Sequence, residues 1–330
     1  MALDSVHPSY SSKHKDWVQL RDFAKGERAV KAKKGEYLPP TKGMHLDELG
    51  FKFSGVARLG QEAYDAYLLR AVFPEYLADA LVIFMGMLHN KSPVIELPKE
   101  MESLRDKATE IGEPLELLLQ RINLEQLTTG RVGLLIDLPR DPDPANPLPF
   151  LALYIAEACR NWDNDEIGDD RANLNMIVLD ESGHSRISNF EWRTTAKYRV
   201  LLLETDENGK KTYHCGSFTN GSGTPVFDEA LLITPNIRGK TLDSIPFMFI
   251  NSKDISPDPD EPPLIGLARL CAAIYRSEAD YRQNLFMQGQ DTLVIIGDKA
   301  SQIVDPSSAA RKSLSWNSCP LSCRAWTRTS

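Results

Sequence analysis

The spacing of hydrophobic residues changes near Arg131, and this change restricts the chain to folds that combine helices with sheets. Before it, apolar residues such as Trp17 and Leu20 recur at helical intervals. After it, short β-branched and aromatic runs are separated by clusters of Gly, Pro, Asp and Asn, which is typical of strands. We therefore predict an α+β fold, with a mostly helical region over 1–130 and a β-rich region over 131–260.

Within the helical region, three amphipathic stretches are expected. The first carries Trp17 and Leu20, and the second extends over 61–88, where Pro74 should kink or divide it. A third helix is predicted to start at Pro114. Its apolar positions are Leu115, Leu118, Leu119 and Ile122.

In the β-rich region, seven short runs are predicted to be strands. They are 132–138, 150–155, 174–180, 197–204, 212–218, 230–234 and 246–250. Asn208 and Gly209 lie between two of these runs and can adopt the positive φ angles of a two-residue turn. The sequence therefore predicts a β-hairpin at this point.

A long helix is the clearest single element, and it follows the β-rich region. Pro262 and Pro263 suit its first turn, and Gly289 can adopt a left-handed stop. The predicted apolar stripe comprises Leu264, Leu267, Cys271, Ile274, Tyr281 and Leu285, with Glu278 as its polar member. An apolar run at 292–296 follows at once, so the region 261–298 is predicted to be a long helix plus a strand.

The end of the sequence differs from the rest. Residues 311–330 contain two of the five Trp, two of the five Cys and no acidic residue, without any periodicity. We expect 299–330 to be unordered. We also expect the part after Ala310 to be an aberrant, out-of-frame segment, and other reading frames of the coding DNA would test this.

Composition excludes some classes of function. The net charge of −8 argues against a general phosphate-binding surface. The N-terminus lacks the pattern of a signal peptide, and the longest apolar run, 80–88, is too short to span a bilayer. Five scattered cysteines indicate free thiols in a reducing compartment. We therefore expect a soluble intracellular product.

Three stretches resemble known site motifs without completing them. Gly239 in IRGKT resembles the end of a phosphate-binding loop, but Thr234 stands where the first glycine belongs. The segment 163–168 resembles the start of a calcium loop, but Leu174 replaces its bidentate Glu. Cys319 and Cys323 have no second pair of zinc ligands. No catalytic, cofactor-binding or metal-binding residue is therefore assigned.

The order and spacing of seven segments resembles the portal-like (head-to-tail connector) proteins of bacteriophages and prophages. These segments lie at 16–39, 67–73, 130–139, 156–163, 198–209, 243–250 and 261–297, so the resemblance covers about residues 7–300. The last segment is similar to portal helices that open on a Pro-Leu pair, here Pro263 and Leu264. Such helices end near a glycine, here Gly289, and continue into an apolar strand, here 293–296.

This resemblance implies a structural subunit and not an enzyme. Portal proteins form a closed ring of about twelve copies at one capsid vertex, in which heterologous contacts close by rotation. The implied partners are further copies of the chain, terminase, and capsid and tail connector proteins. Double-stranded DNA would pass through the channel without sequence specificity, and no cofactor or membrane is implied. The implied location is the virion, with the bacterial host cytoplasm during assembly.

Two alternatives remain open. The first is another phage head-assembly or minor capsid protein. The second is a soluble cytoplasmic enzyme whose site is built from distant loops around 163–170 and His184. The portal-like pattern ends near Asp305, whereas portal proteins continue into further helices. If the chain ends at Ser330, part of the channel is expected to be missing and ring assembly to be impaired.

Overall fold

The computed structural model describes residues 3–41, 44, 59–139, 149–164, 174–206, 209–220, 225–237 and 239–289. Helices and antiparallel sheets make up a mixed α+β fold with a helical N-terminal part and a C-terminal helix, as predicted. The predicted strand at 292–296 and the predicted unordered segment 299–330 lie outside the described residues.

The chain divides into two compact units, each built from two separate stretches of sequence. One unit comprises Met1–Lys33 and Phe73–Ile274, and the other comprises Lys34–Val72 and Tyr275–Ser330. The four regions predicted from the sequence follow the order of helices and strands along the chain. Their assignment as domains remains a prediction.

The described residues form seven α-helices. They are α1 (Pro8–Ala24), α2 (Glu27–Ala32), α3 (Leu59–Arg70), α4 (Tyr76–Leu88), α5 (Ser103–Asp106), α6 (Leu115–Thr129) and α7 (Ile265–Gln288). The predicted division at Pro74 is confirmed, since α3 ends before it and α4 begins after it. Pro114 caps α6 as expected, and Gly130 ends that helix with φ 82°.

The described strands are all paired antiparallel. They are β1 (Arg131–Asp137), β2 (Phe150–Ile155), β3 (Cys159–Asn164), β4 (Leu174–Asp180), β5 (Gly183–Arg186), β6 (Trp192–Thr205), β7 (Lys211–Asn220), β8 (Asn236–Ile237), β9 (Lys240–Thr241) and β10 (Phe247–Asn251). One sheet has the order β10-β1-β2, and a second has the order β3-β4-β6-β5 with β7 also paired to β6. The strands β8 and β9 form a small separate hairpin.

One hydrophobic core joins α1 to both larger sheets. Trp17 of α1 is fully buried in it, together with Leu135 and Phe249 of the first sheet and Ile177 and Leu201 of the second. A second group of buried residues, including Leu118 and Ile122, packs α6 against β1. The helical spacing of the apolar residues in α1 and α6 therefore matches the faces that these helices bury.

Several strand predictions need correction. The hairpin of β6 and β7 is present, but Asp206 and Lys210 close it, so its loop is one residue longer than predicted. Gly209 adopts φ 75° in this loop. The run 230–234 is not a strand, because Glu229–Leu231 forms a 3-10 turn and only Ile233 makes a bridge, to Cys215. The short polar strands β3, β5, β8 and β9 were not predicted, because they lack an apolar alternation.

The long helix α7 is shorter than predicted, and it buries a different set of residues. It starts at Ile265, after a turn in which the Ile265 N–H bonds to the Pro262 carbonyl. Gly289 does not adopt a positive φ, so the predicted left-handed stop is wrong. The buried positions are Ile265, Ala268, Cys271, Ala272, Tyr275 and Ala279. Tyr281 and Leu285, which were predicted to belong to the buried stripe, are exposed.

This difference has a simple origin in side-chain size. Three of the six buried positions are alanines, which a hydrophobic pattern weights less than Leu or Tyr but which let neighbouring backbone approach closely. On the outer surface, Arg282 pairs with Glu278 at 2.7 Å, as expected for residues four apart on a helix.

We expect Gly133→Ala to lower the free energy of unfolding by about 2 kcal/mol, because overpacking a core forces neighbours to move. An added Cβ on Gly133 in β1 would overlap the Phe247 ring and lie 3.0 Å from Cys159 Sγ. Gly86→Ala in α4 is the control, since nothing lies within 4 Å of its added Cβ. It should stabilise the protein by about 0.5–1 kcal/mol through helix propensity. Urea denaturation followed by circular dichroism measures both, and equal effects would contradict the assigned packing of β1.

Candidate functional site

The loops proposed for an enzyme site are far apart in the second sheet. Asp163 in β3 pairs with Met176, which pairs with Leu202 of β6. His184 in β5 pairs with Thr194, eight residues away along the same β6. At about 3.3 Å per residue, these positions are separated by about 26 Å along the strand. The structure does not bring Asp163 and His184 together, and residues 165–170 lie outside the described residues.

The incomplete phosphate-loop motif forms a hairpin. Gly239 adopts φ 81° between β8 and β9, and Lys240 and Thr241 belong to β9. A phosphate-binding loop instead feeds the N-terminus of a helix. This geometry agrees with the rejection of nucleotide binding at IRGKT.

Among the described residues, no group of three or more His, Cys, Asp or Glu side chains is placed to hold a metal ion. No described helix has both the length and the apolar character needed to cross a membrane.

The most unusual buried group is Arg131, at the start of β1. Its side chain is 1% exposed, and its guanidinium carbon lies 3.8 Å from the centre of the Phe249 ring and 4.9 Å from that of Trp162. Nη2 donates to the Pro257 carbonyl at 2.8 Å. Nε and Nη1 have no hydrogen-bond partner in the described part of the chain. Burial lowers the pKa of Arg131 to about 10, which is the direction expected when a cation loses its hydration.

The loop that Arg131 contacts is fixed by Asn251, and we call residues 252–260 the Asp-Pro loop. Asn251 is 3% exposed, and its amide nitrogen contacts Asp254 Oδ1 and the carbonyls of Ser256 and Asp258 at 2.8–3.0 Å. Hydrogen bonds, first from the Ser256 N–H and then from Asn251, hold the pKa of Asp254 below its usual value. Hydrogen bonds from Arg131 and Asn251 thus hold the Asp-Pro loop, which connects β10 to α7, in its conformation.

His7 joins the same cluster and caps α1. Its ring stacks on Trp162 with centroids 4.1 Å apart, and its Nδ1 accepts the Ser9 N–H at 3.2 Å. Burial is the largest effect on the pKa of His7 and lowers it, with Asp258 opposing and Arg131 reinforcing that shift. A neutral imidazole suits this position, because protonation would remove the capping lone pair and place a cation at a helix N-terminus.

We therefore expect folding stability to fall as the pH drops below about 6.5, the pKa of His in an unfolded chain. Between the lowered pKa of folded His7 and about pH 6.5, the unfolded chain binds a proton that folded His7 does not. The contribution of neutral His7 to stability is therefore complete above about pH 6.5 and is lost as the pH falls through the lowered pKa. His7→Asn keeps a capping acceptor but does not titrate. Unfolding at about pH 7.5 and about pH 5.5 should show a smaller loss for the variant, and identical losses would contradict this role.

An exposed apolar surface of the first unit lies on α4. Leu77 and Leu81 are buried, whereas the other side of the helix exposes large hydrophobic side chains. We call this surface the α4 face. It comprises Val82, Ile83 and Met87, which are 53–73% exposed. Monomeric proteins rarely expose a contiguous group of this kind, so it indicates a binding surface.

A second exposed surface is formed by an arm of β-structure. The arm comprises β5, the first four residues of β6 and the turn 187–191 that joins them, in which the Ile187 N–H bonds to the Glu191 carbonyl. Its apolar end, which we call the arm tip, consists of Ile187, Phe190 and Trp192, and Phe190 is 93% exposed. A two-stranded hairpin is only marginally stable in water, so an arm with an apolar tip suits contact with a partner.

The second unit also carries apolar groups at its surface. Tyr281, Leu285, Phe286 and Met287 near the end of α7 are exposed. Arg70 packs over the Phe286 ring, with its guanidinium carbon 3.9 Å from the ring centre. Within this unit, the Tyr67 hydroxyl donates to Asp280 at 2.6 Å and the Arg276 Nε donates to the Tyr37 carbonyl at 3.0 Å.

Comparisons with known proteins add no family assignment. No family model matches this chain, and no curated protein matches it. Its function is therefore inferred from its residues and their geometry.

Sequence reasoning identified neither the α4 face nor the arm tip. The apolar run 80–88 was recognised only as too short for a membrane span. Which of its residues stay exposed depends on how other helices, such as α1 and α6, pack against α4, and spacing alone does not reveal this. The arm carries no apolar alternation that would mark a strand.

Proposed function

We propose that this chain is a structural subunit of a phage portal-like ring, and that it acts by assembling with copies of itself. The α4 face carries this proposal, because three large apolar side chains on one side of this helix are exposed in the described part of the chain. Covering such a face stabilises an assembly by about 25 cal/mol for each Å² removed from water. The order of segments that resembles portal proteins supports the same role.

A ring requires a second surface on each copy, and the arm tip provides one. Heterologous contacts join two different surfaces of the same chain, and they close into a ring when the rotation between copies closes. The α4 face is helical and the arm tip lies on a β-hairpin, so the chain offers two unlike apolar surfaces. An isologous dimer needs only one such surface.

Under this proposal the remaining partners follow from the role. Terminase and the capsid and tail connector proteins would dock on the ring, and double-stranded DNA would pass through it without base recognition. The net charge of −8 suits a conduit, because phosphate groups bind weakly to a surface without excess Lys and Arg. The proposed location is the portal vertex of the virion, after assembly in the bacterial cytoplasm, and no catalytic activity is proposed.

A phage head-assembly or minor capsid protein would use the same apolar surfaces and differ in the shape of its assembly. The enzyme alternative depended on loops around Asp163 and His184, which the register of the second sheet separates. We therefore keep an assembly role as the proposal.

Native mass spectrometry and negative-stain microscopy of the purified chain test it. We expect rings of about a dozen copies around an open pore. Open filaments or small closed oligomers would favour the other head-assembly role, and monomers at every concentration would contradict both.

A matched pair of variants links assembly to the α4 face. Val82→Ser combined with Ile83→Ser should abolish assembly without lowering the free energy of unfolding, since both side chains are more than half exposed. Val94→Ser combined with Ile111→Ser makes the same chemical changes at 91% and 79% exposed positions outside the face. This control should assemble normally.

A further inference from the structure

We propose that the arm tip of one copy binds the α4 face of the next copy, so that each subunit contributes one surface to each of its two neighbours. This inference rests on the proposed assembly role and specifies its contact. Both surfaces belong to the same compact unit, Met1–Lys33 with Phe73–Ile274, so each copy presents both of them on one unit.

The shapes of the two surfaces are complementary. Gly86 lies in the middle of the α4 face, and nothing lies within 4 Å of the position where its Cβ would be. The missing side chain leaves an open space, which we call the notch, beside Val82 and Ile83 one turn earlier on the same side of the helix. Phe190, which is 93% exposed, supplies a flat apolar ring for this notch, and Trp192 can cover its rim. Aromatic anchors that fill small hollows are the usual source of binding energy at protein interfaces.

The charges of the two surfaces are opposite. The helix α4 contains Asp79 and no Lys or Arg, and Glu75 precedes it. The arm contains Arg186 and Arg193 against one acidic residue, Glu191. Arg186 bonds to the carbonyls of Ser188 and Asn189, which keeps its cation near the arm tip. The Asp79 carboxylate and the guanidinium groups of Arg186 and Arg193 therefore attract each other across such a contact.

Photocrosslinking from the arm tip tests this contact directly. In the full chain, Phe190→benzoylphenylalanine places the reactive group at the tip, and its ring resembles the native phenyl group. After irradiation, we expect covalent dimers whose linked peptides join residue 190 to residues 76–88 of a second copy. Mixing isotope-labelled and unlabelled chains shows that the link joins two copies.

A second variant fills the notch. Gly86→Leu should weaken assembly at least tenfold, as measured by the concentration at half assembly, and should abolish the link to 76–88. Gly266→Leu is the matched control, because an added Cβ at this α7 glycine also meets nothing within 4 Å and it lies outside the α4 face. The control should assemble and crosslink normally.

The outcomes separate this contact from the assembly role. Rings that form while residue 190 links to another segment, or to none, would overturn the contact and leave the portal-like role intact. Monomers that give no link between copies would overturn both. Rings with a link to 76–88 that disappears in Gly86→Leu would support both.

Discussion

Trp17→Ala is expected to lower the free energy of unfolding by about 4 kcal/mol, the range found when large buried aromatic side chains are truncated. Trp17 is fully buried and lies edge-on to Tyr10, with ring centroids 5.5 Å apart. It belongs to the core that joins α1 to both larger sheets, so the cavity would lie where three layers meet. Urea denaturation followed by far-ultraviolet circular dichroism measures the loss.

The same substitution at an exposed tryptophan separates burial from side-chain identity. Trp192→Ala in the arm tip, where the side chain is 65% exposed, should change the free energy of unfolding by less than about 0.5 kcal/mol. Comparable losses at the two positions would contradict the assigned core.

A third variant shows which property of Trp17 matters. The indole nitrogen of Trp17 has no hydrogen-bond partner in the described part of the chain, so packing and not a polar contact accounts for its role. Trp17→Phe should therefore retain most of the stability, with a loss of about 1–2 kcal/mol from the smaller ring.

The helices and strands that can be predicted from the sequence are those whose large apolar residues are buried at regular spacing. In α1 and α6, large apolar residues recur at the spacing of one buried face, so both helices follow from the sequence. The apolar strands β1, β2, β4 and β10 follow in the same way, because each contributes to a core.

The rest of the fold depends on contacts between distant residues. The buried face of α7 is built mainly from small residues such as Ala268, Ala272 and Ala279, and hydrophobic spacing gives such residues little weight. The arm is exposed throughout β5, so no burial period marks it. The position of β5 is set by its pairing with β6, which a local sequence pattern does not encode.

The α4 face and the arm tip could not be predicted from the sequence for the same reason. The apolar residues of α4 are visible in the sequence, but exposure is a property of what packs on them. Buried Arg131 was also missed, because arginine is usually at the surface. Its partners Trp162 and Phe249 come from two other strands, and only the tertiary fold brings them to it.

Arg131→Ala is expected to lower the free energy of unfolding by about 3 kcal/mol. The substitution leaves a cavity between aromatic rings, which costs about 2–5 kcal/mol for a large buried side chain. It also removes the bond from the charged guanidinium to the Pro257 carbonyl, worth about 1.5–3 kcal/mol. These losses are partly offset, because a cation that lacks a carboxylate partner in the described part of the chain no longer has to be buried.

Arg131→Met separates the contribution of packing from that of charge. Methionine fills most of the same space and tolerates irregular aromatic surroundings, but it carries no charge. Relief from burying the cation then opposes the loss of the Pro257 bond and of the cation–π contacts, so we expect a change within about 1 kcal/mol of the native protein. Arg131→Lys should resemble the alanine variant, because a compact ammonium keeps the cost of burial and loses the flat stacking surface. If methionine destabilises as much as alanine, the guanidinium contacts themselves hold the Asp-Pro loop, and the charge contributes net stability despite its burial.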